Sequence, residues 1–568
     1  MIILGISDNH DSGACLVKDG EIVAAINEER LKRDKLIGGF PYLSIEEVLR
    51  TSGVSSQDLD FIVFASSMTP SFLLRLLDDF HNNLRKNKSS FSYLLNLYII
   101  GQVFAYKLRI PKVIERILST EVMKRKLDRL NIKAPVICID HHYAHAASSY
   151  YTSGEKGKVL IITADAMGDG LSVTVNIGKE RDVKRIFSQT AFSSIGTYYS
   201  RLTEFLGFKP LRNEGKITAL AGHGAFDREI LILAKCYFRF LKERGAFNLK
   251  NYLLKESMND GLHIKLKRYS REDIAYNFQK NFEEEITRFV KFWVGKTGIR
   301  GVSLAGGIFA NIMLNKRISR IKQIERLYIF PHMGDGGLSL GAALGFLRPK
   351  PIYFKNIYLG PVYSDGLIKE RLDKVGLSYS FLREDELCNK IAHFLFEGKT
   401  IAHFNGRMEY GPRALGNRSI LYRADDPTCK DWLNEKLKRS HFMPFAPVSL
   451  AEESERLYLD IDKISYTLRF MNIAVECSRE MKEISPGAVH INGTARPQIL
   501  FREDNPRLYK ILQIYKSLKG TSTIINTSFN SHEEPIVCSP EDAIKSFLSC
   551  NLDYLVLNNF LVWRREGY

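Results

Sequence analysis

The chain has 568 residues, of which 45% are hydrophobic and 26% charged, the composition of a globular protein with about two to four domains. Its net charge of +17 favours anionic partners such as nucleotides and phosphates, but no run of Lys and Arg forms an arm dedicated to nucleic acid. The eight cysteines form no Cys-x-x-Cys pair and the chain starts without a signal peptide, so we expect a cytoplasmic protein with reduced thiols.

A strand pattern near the start of the chain occurs a second time. Residues 2–7 read as a buried strand, residues 8–13 as a polar loop, and residues 14–26 as a hairpin with an Asp-Gly turn. Residues 159–187 repeat this order after about 150 positions, a period far too long for a solenoid. The repetition predicts two related α/β halves that face each other across a cleft.

The polar loop of the second repeat contains Asp165, Gly168 and Asp169. In a duplicated fold the two loops lie at the same end of their central strands, where glycine-containing turns can approach phosphates. We therefore predict that these residues lie near a nucleotide. Taken alone, either loop is equally well explained as an ordinary β-turn.

The interval between the repeats, residues 45–130, is rich in Lys and Leu and predicts a helical insertion. Its longest uncharged stretch, residues 91–106, is short for a membrane span and predicts a buried helix, with an interfacial helix as the alternative. We expect no membrane partner, and we expect acceptor specificity to reside in this insertion.

Three histidines follow the apolar strand formed by residues 136–139. Asp140 suits the N-terminus of the next helix, on which His141 and His145 share one face. Two imidazoles at this spacing can hold one metal ion, whereas His142 faces elsewhere and could contact substrate or support the ligands. The alternative is three histidines crowded at a helix start without a metal.

Glycine-rich turns contain further candidates. A strand leads through Gly306 and Gly307 into a helix near Asn311, a junction where phosphate can approach the backbone. Asp335 lies among glycines after another strand and is the candidate third ligand. Two imidazoles and one carboxylate would leave coordination positions open. An aspartate that only shapes the turn is the alternative.

A Glu-Gly-Lys sequence places Glu214 and Lys216 before a helical run. The carboxylate and the ammonium group could face a ligand, and a solvated helix cap explains the pair equally well.

The character of the chain changes after the prolines of residues 348–351, which indicate a linker. Residues 405–419 follow a strand and place Arg407, Arg413 and Arg418 among glycines. Guanidinium groups in such a loop form a cradle of forked donors for phosphate-like oxyanions. A solvated surface role is less attractive, because these arginines lie in a loop and not on a helix.

Taken in order, the motifs resemble the O-carbamoyltransferase family of nodulation and antibiotic-tailoring enzymes. The resemblance covers nearly the whole chain and rests on residues 140–145, 213–216, 304–307, 334–337, 411–420, 444–447, 493–496 and 526–530. It implies an α/β fold with a duplicated actin-like (ASKHA) ATPase-type domain at residues 1–350, which includes the helical insertion. In the family, this first domain is similar to the tRNA threonylcarbamoyl-transfer protein. A YrdC-like α/β domain would follow at residues 351–568.

The resemblance also implies two-step chemistry. Carbamoyl phosphate and ATP are the expected co-substrates, carbamoyl adenylate is the intermediate, and a hydroxyl of a sugar or another small molecule is the acceptor. His141, His145 and Asp335 match the family's metal ligands, with Fe²⁺ the expected metal and Mg²⁺ accompanying ATP. A loop histidine matches the base proposed to deprotonate the acceptor. The catalytic candidates are His10, His142 and Lys216.

Binding candidates are assigned to both domains. For the nucleotide in the first domain they are Asp165, Gly168, Asp169, Glu214, Gly306, Gly307, Asn311 and Gly336. For carbamoyl phosphate and ATP in the second they are Arg413, Asn417, Arg418, Ser419, Lys438, Arg439, His490, Arg496, Asn526, Ser528 and Asn530. We expect no nucleic-acid partner, and the sequence leaves a homodimer open. The competing functions are threonylcarbamoyl transfer to tRNA and a nucleotide-binding scaffold without catalysis.

Overall fold

The computed structural model describes most of the chain, as two compact units. The described residues are 1–77, 100–104, 106–249, 265–354, 356–438, 443–531 and 533–564. The first unit comprises Met1–Glu28 and Leu36–Phe354, and the second comprises Glu29–Lys35 and Lys355–Tyr568. Chain order does not predict that residues 29–35 belong to the second unit. Arg439 and most of the stretch 91–106 lie outside the described residues.

Two five-stranded sheets form the framework of the first unit. The first sheet has the order β3-β2-β1-β4-β5, with β1 Ile2–Ser7, β2 Gly13–Lys18, β3 Glu21–Asn27, β4 Phe61–Phe64 and β5 Val136–Cys138. The later strands are β6 Val159–Gly168, β7 Leu171–Lys179, β8 Asp182–Thr190, β9 Phe238–Leu241, β10 Ala246–Leu249, β11 Gly301–Ala305 and β12 Arg326–Ile329. Of these, β9 and β10 form a separate ribbon, and the others form the second sheet in the order β8-β7-β6-β11-β12.

The two sheets share one topology. In each, the central strand (β1 or β6) is antiparallel to the strand that follows it and parallel to the strand on its other side (β4 or β11). The duplication predicted from the sequence is therefore present, and this is the topology of the actin-like ATPase fold. Ser7 pairs with Gly13, and Ala164 pairs with Val173. Asp8 and the second-repeat aspartate at position 165 follow these paired residues at equivalent places.

The helices in the described residues before position 355 are α1 Glu28–Lys32, α2 Tyr42–Ser52, α3 Phe72–Leu76, α4 Arg109–Asp128, α5 His141–Tyr151, α6 Ile195–Phe205, α7 Glu214–Ala221, α8 Arg228–Tyr237, α9 Arg271–Thr297, α10 Ile312–Ser319 and α11 Leu338–Leu347. Helices such as α2, α5 and α11 pack on these sheets. Within the described ranges, none of the helices combines the length and the apolar character needed to cross a bilayer.

Small residues bring α11 close to the elements that carry the site. A Cβ atom at Gly341 would lie 2.1 Å from the carbonyl oxygen of Ala144 in α5, and one at Gly5 in β1 would lie 2.1 Å from the carbonyl oxygen of Ser339 in α11. Only glycine permits these approaches, because a side chain at either position would overlap a backbone atom. The start of α11 is thereby fixed beside the first turns of α5.

The prediction of a purely helical insertion at residues 45–130 is wrong in one respect. Phe61–Phe64 forms β4, which pairs in parallel with β1 and β5 inside the first sheet. Four β-branched or aromatic residues suffice for a buried central strand. Such a short run is easily missed between longer helical patterns, here those of α2 and α4.

The second unit is built on a mixed eight-stranded sheet in the order β13-β22-β21-β14-β15-β20-β16-β19. Its strands are β13 Ser378–Phe381, β14 Ile401–Phe404, β15 Arg418–Arg423, β16 Ala446–Leu450, β17 Val475–Glu476, β18 Thr494–Ala495, β19 Gln498–Leu500, β20 Ile524–Ser528, β21 Tyr554–Leu557 and β22 Phe560–Trp563, of which β17 and β18 pair separately. Its helices are α12 Asp365–Val375, α13 Glu384–Phe396, α14 Cys429–Lys436, α15 Ser454–Leu457, α16 Arg479–Ile484, α17 Pro506–Lys519 and α18 Pro540–Ser549. Leu387 and Ile391 of α13 pack with Leu508 and Leu512 of α17 in the apolar core of this sheet. The α/β class predicted for both units is the one observed.

Candidate active site

Four side chains of the first unit lie close together. The ligand atoms of His141, His145, Asp165 and Asp335 all lie within 4.8 Å of one another. Nε2 of His145 is 3.2 Å from Asp165 Oδ2 and 3.4 Å from Asp335 Oδ1, and Nε2 of His141 is 3.6 Å from Asp335 Oδ1. The two histidines and the distant aspartate predicted to meet therefore do meet. Their role as metal ligands remains a prediction.

Local structure explains why these side chains are presented together. Asp140 caps α5, since its Oδ1 accepts the Tyr143 N–H at 2.9 Å, and the two ligand histidines lie one turn apart on the same helix face. Asp335 opens the 3-10 turn Asp335–Gly337 that leads into α11. The close packing of α11 on α5 then sets the carboxylate beside the imidazoles.

The donor set fits a divalent cation. Both imidazoles are buried, and Nε2 of His141, Nε2 of His145 and Oδ1 of Asp335 have no hydrogen-bond partner within the described part of the chain. Buried polar atoms are nearly always satisfied in folded proteins, so three such atoms close to one another suit a shared ligand. Two nitrogen and two carboxylate ligands suit iron or zinc.

The four groups perturb one another's protonation. Burial alone would lower the pKa of His145, but the carboxylates of Asp165 and Asp335 raise it to about 9. The pKa of Asp335 is raised by burial and by the charge of Asp165, while burial lowers the pKa of His141. A bound cation would take the place of the shared protons.

Asp165 is a ligand candidate that sequence reasoning placed with the nucleotide. Besides facing His145, its Oδ2 accepts the Gly307 N–H at 2.9 Å. The sequence repeat already singled out this position, because an aspartate, Asp8, also occupies the equivalent place after β1. Asp8 is neutralised by the buried Arg75 (2.7 Å, Nε to Oδ2), whereas the second aspartate faces histidines.

Gly168 leaves the space that the His141 ring occupies. A Cβ atom at this position would lie 2.0 Å from Cδ2 and 2.4 Å from Nε2 of His141. The residue predicted to lie near a nucleotide therefore sets where a ligand imidazole can lie.

The Gly168→Ala variant should displace this imidazole. We expect its free energy of unfolding to fall by about 1–3 kcal/mol through overpacking and its metal affinity to fall about tenfold or more. Chemical denaturation and a chelator competition measure the two effects. Gly157→Ala is the matched control, since a Cβ atom there meets nothing within 4 Å. Equal metal binding by the two variants would contradict the prediction.

Asp169 supports the site instead of lining it. It is buried, and its carboxylate accepts the backbone N–H groups of His141 (3.0 Å) and Met68 (3.1 Å) and the hydroxyl of Ser66. With both oxygens used by the protein, the carboxylate holds the start of α5. This corrects the prediction that Asp169 binds the nucleotide.

The three predicted catalytic residues have different surroundings. His142 is fully buried with Nδ1 2.7 Å from Thr163 Oγ1, and burial lowers its pKa to about 3. It therefore stays neutral and packs between α5 and β6, while its catalytic role stays a prediction. His10 lies half-buried in the loop after β1, and Lys216 lies on α7 with Nζ 5.7 Å from the Phe208 ring centre. Their roles stay predictions.

The remaining nucleotide candidates lie on turns and helix starts. Gly306 has φ of 104°, and a Cβ atom there would lie 2.1 Å from the Ala164 carbonyl oxygen, so glycine is required. Asn311 caps α10 through its Oδ1, which accepts the Leu314 N–H at 3.1 Å. Burial raises the pKa of Glu214.

Gly336 is explained by packing. A Cβ atom at this position would lie 2.2 Å from His332 Cε1 and 2.3 Å from Asp11 Oδ2. The residue follows Asp335 directly, so this close packing also fixes the turn that carries the candidate ligand.

In the second unit, a buried carboxylate organises the arginine-rich loop. Oε1 of Glu409 accepts the N–H groups of Leu415 and Asn417 at 2.8 Å and of Arg418 at 3.1 Å. From the other side, Arg30 of the Glu29–Lys35 segment donates to the Gly411 carbonyl at 2.8 Å. The loop is therefore rigidly held.

Arg418 is part of this scaffold and does not serve as a phosphate clamp. It is fully buried and donates to the carbonyl oxygens of Asn405 (3.0 Å), Gly406 (3.1 Å) and Asn417 (2.9 Å). Its guanidinium also lies 3.5 Å from the Phe404 ring centre. The prediction that Arg418 binds substrate is corrected accordingly.

Arg413 and Arg496 differ from Arg418 in their hydrogen bonding. Both are half-buried, and within the described residues neither guanidinium has a hydrogen bond or an ion pair. Burial lowers the pKa of Arg413 to about 10, and burial together with the charge of Arg413 lowers the pKa of Arg496 further. Two neighbouring guanidinium groups without such partners have the chemistry that an anion-binding site needs, and their role stays a prediction.

The other second-unit candidates support loops. Asn417 Nδ2 donates to the Arg407 carbonyl at 2.8 Å, and the Ser419 hydroxyl accepts the Gly416 N–H at 2.9 Å. Asn526 donates to Gln498 at 2.7 Å, and Asn530 donates to the Glu534 carbonyl at 2.7 Å. His490 Nδ1 is 3.0 Å from Thr494 Oγ1, Lys438 is exposed, and Ser528 pairs with Ser419 at the end of β20. None of these contacts needs a ligand.

Comparison with known families identifies the class. Residues 2–344 match the model of the carbamoyltransferase N-terminus, and residues 392–564 match that of the carbamoyltransferase C-terminus. The chain therefore belongs to the carbamoyltransferase family and is an enzyme of carbamoyl transfer.

Relatives within the family are similar over most of their length. Uncharacterized protein MJ1058 of Methanocaldococcus jannaschii is 33% identical over 98% of both chains. Nodulation protein NolNO of Sinorhizobium fredii is 29% identical over 98% of this chain and 79% of its own length. A crystal structure of full-length HypF in the phosphate- and nucleotide-bound form shares 16% identity over 61% of this chain and 46% of that chain, with a TM-score of 0.36, too low to carry an argument.

Proposed function

We propose that this carbamoyltransferase uses carbamoyl phosphate and ATP to carbamoylate a hydroxyl of a small molecule, such as a sugar or a natural-product precursor. The observation that carries the proposal is the cluster of His141, His145, Asp165 and Asp335, whose ligand atoms all lie within 4.8 Å of one another. Within the described residues, the ligand atoms of all but Asp165 have no hydrogen-bond partner. The unneutralised pair Arg413 and Arg496 supplies an anion site in the second unit. The match of both parts of the chain to carbamoyltransferase models favours this function over transfer to tRNA.

The proposed reaction has three steps. Carbamoyl phosphate is hydrolysed to carbamate and phosphate. A carbamate oxygen attacks the α-phosphorus of ATP, which forms carbamoyl adenylate and releases pyrophosphate. The acceptor oxygen then attacks the carbamoyl carbon, the bond to AMP breaks, and the hydroxyl proton passes to a base, for which His10 is the candidate.

We assign the phosphate groups of the first two steps to the second unit. In the part of the chain that the structure describes, Arg413 and Arg496 have no carboxylate partner, so an oxyanion bound to them gains charge-assisted hydrogen bonds without displacing an ion pair. The Glu409-centred loop holds Arg413 in place before substrate arrives. Such preorganisation lowers the entropic cost of binding.

The first unit would hold the cation through His141, His145, Asp165 and Asp335. A divalent metal there, with Fe²⁺ the expected ion, supplies a Lewis acid and a phosphate-binding charge, and Mg²⁺ accompanies ATP. The expected nucleotide site lies at the glycine turn of positions 306 and 307, whose Gly307 N–H donates to Asp165. The buried surroundings also exclude water from a carbamoyl group that water would hydrolyse.

The test is a nucleotide assay on the purified full chain. With carbamoyl phosphate and ATP, we expect AMP and pyrophosphate to form, and with a hydroxylated metabolite library we expect one product with the added mass of a carbamoyl group. Acetyl phosphate in place of carbamoyl phosphate is the control and should yield no AMP. AMP formation at the same rate with and without carbamoyl phosphate would refute the proposal.

A further inference from the structure

His141 can donate a lone pair to a cation at Nε2 only when its proton sits on Nδ1. The group that faces Nδ1 therefore decides whether the ring is ready for a metal. That group is the side-chain amide of Asn9, in the polar loop after β1, with Nδ2 3.2 Å from His141 Nδ1. Asn9 is only 3% exposed, so water does not take over this contact.

The amide of Asn9 can serve either tautomer. In this structure its N–H donates to Nδ1, which leaves the ring proton on Nε2, directed at Asp335 Oδ1 3.6 Å away. The Oδ1 atom of Asn9 is buried and has no hydrogen-bond partner in the described ranges. Rotation of the amide by half a turn would present this oxygen to an Nδ1–H and free Nε2, and nothing among the described contacts opposes it.

A chain of buried hydrogen bonds holds Asn9 beside the ring. The neighbouring Asp8 accepts from Arg75 at 2.7 Å (Nε) and 3.0 Å (Nη2), and Arg75 Nη2 also donates to the Ser66 carbonyl at 3.1 Å. The Ser66 hydroxyl donates to Asp169, which accepts the His141 backbone N–H at 3.0 Å. These hydrogen bonds connect the His141 backbone to Asp8. Because Asn9 is the next residue in the chain and contacts the His141 ring, the connection forms a closed loop.

We propose that Asn9 is the positioning residue that lets His141 take the tautomer competent for metal, and that the Asp8–Arg75 pair fixes Asn9 for this role. The inference rests on the metal site of the proposed function and adds a residue of the first repeat to it. It also accounts for Asp8, the aspartate of the first repeat, which is not a candidate ligand. Asp8 forms an ion pair with Arg75 and holds the loop in place, whereas Asp165, its counterpart in the second repeat, is one of the candidate ligands.

The test measures metal affinity in two variants of the full chain. Asn9→Leu keeps the approximate size but removes both hydrogen-bonding groups, so Fe²⁺ or Zn²⁺ should bind about 10–100-fold more weakly in a chelator competition. Asn9→Asp can only accept from Nδ1–H, so its affinity should stay within about threefold of the wild type or exceed it. The proposal would be overturned if the Asn9→Leu protein bound the metal as tightly as the wild type, or if the Asn9→Asp protein bound it as weakly as Asn9→Leu.

Asn281→Leu is the control for a merely structural loss. Asn281 is equally buried but bonds the Phe238 carbonyl (3.0 Å), away from the ligands, so its variant should lose stability while keeping the wild-type metal affinity. Should Asn9→Leu not fold, Asn9→Ala replaces it with the same two outcomes. Absence of metal binding by the wild type itself would refute the metal site, whereas wild-type binding with an unaffected Asn9→Leu would refute only this inference.

Discussion

Replacing His141 and His145 together by alanine should abolish stoichiometric metal binding and lower carbamoyl transfer by about a thousandfold or more. Lewis-acid stabilisation by a metal contributes several kcal/mol to a transition state, and about 1.4 kcal/mol corresponds to a factor of ten in rate. Both imidazoles are buried and their Nε2 atoms face the aspartates. The variant therefore removes the nitrogen half of the ligand set.

Metal analysis of the purified protein and a product assay measure the two effects. The control is the double variant His223→Ala/His393→Ala, which also removes two imidazoles but from exposed positions. We expect it to keep its metal and its rate. Retention of a full equivalent of metal by the His141→Ala/His145→Ala protein would show that the cation is bound elsewhere.

Replacing Arg496 by glutamine should lower carbamoyl-phosphate-dependent AMP formation about 10–100-fold in kcat/KM, because a hydrogen bond to a charged group contributes about 1.5–3 kcal/mol. The metal content should not change. The stability without substrate should stay equal or rise, because Arg413 loses a like-charged neighbour. Lower activity combined with unchanged or higher stability distinguishes a ligand-binding arginine from a structural one.

Steady-state kinetics, metal analysis and a thermal melt test this combination. Arg479→Gln is the control, since that side chain is 93% exposed and pairs with Glu483 at 2.8 Å on α16. Arg418 provides the contrast: replacing it breaks bonds to three carbonyls and should reduce stability. An Arg496→Gln protein that melts earlier and turns over at the wild-type rate would contradict the assignment.

The sequence by itself determined the class of fold, the repeat and the shared helix face of two histidines. Strand periodicity followed by a polar loop, met twice, predicted the two sheets of the first unit, because alternation and turn chemistry are local properties. The spacing of His141 and His145 predicted a shared helix face for the same reason. The glycine-flanked turn after a strand made Asp335 the candidate third ligand, the family resemblance agreed, and the structure places its carboxylate beside the two imidazoles.

Tertiary structure decided which polar residues face a ligand and which hold the scaffold. Arg413 and Arg418 are five positions apart in one loop, yet among the described residues the first has no partner and the second donates to three carbonyls. Asp8 and Asp165 occupy equivalent places in the repeat, yet Arg75 neutralises only the first. These differences depend on groups distant in the chain, since burial, hydrogen bonding and neighbouring charge at a side chain are set by packing, which local sequence patterns do not encode.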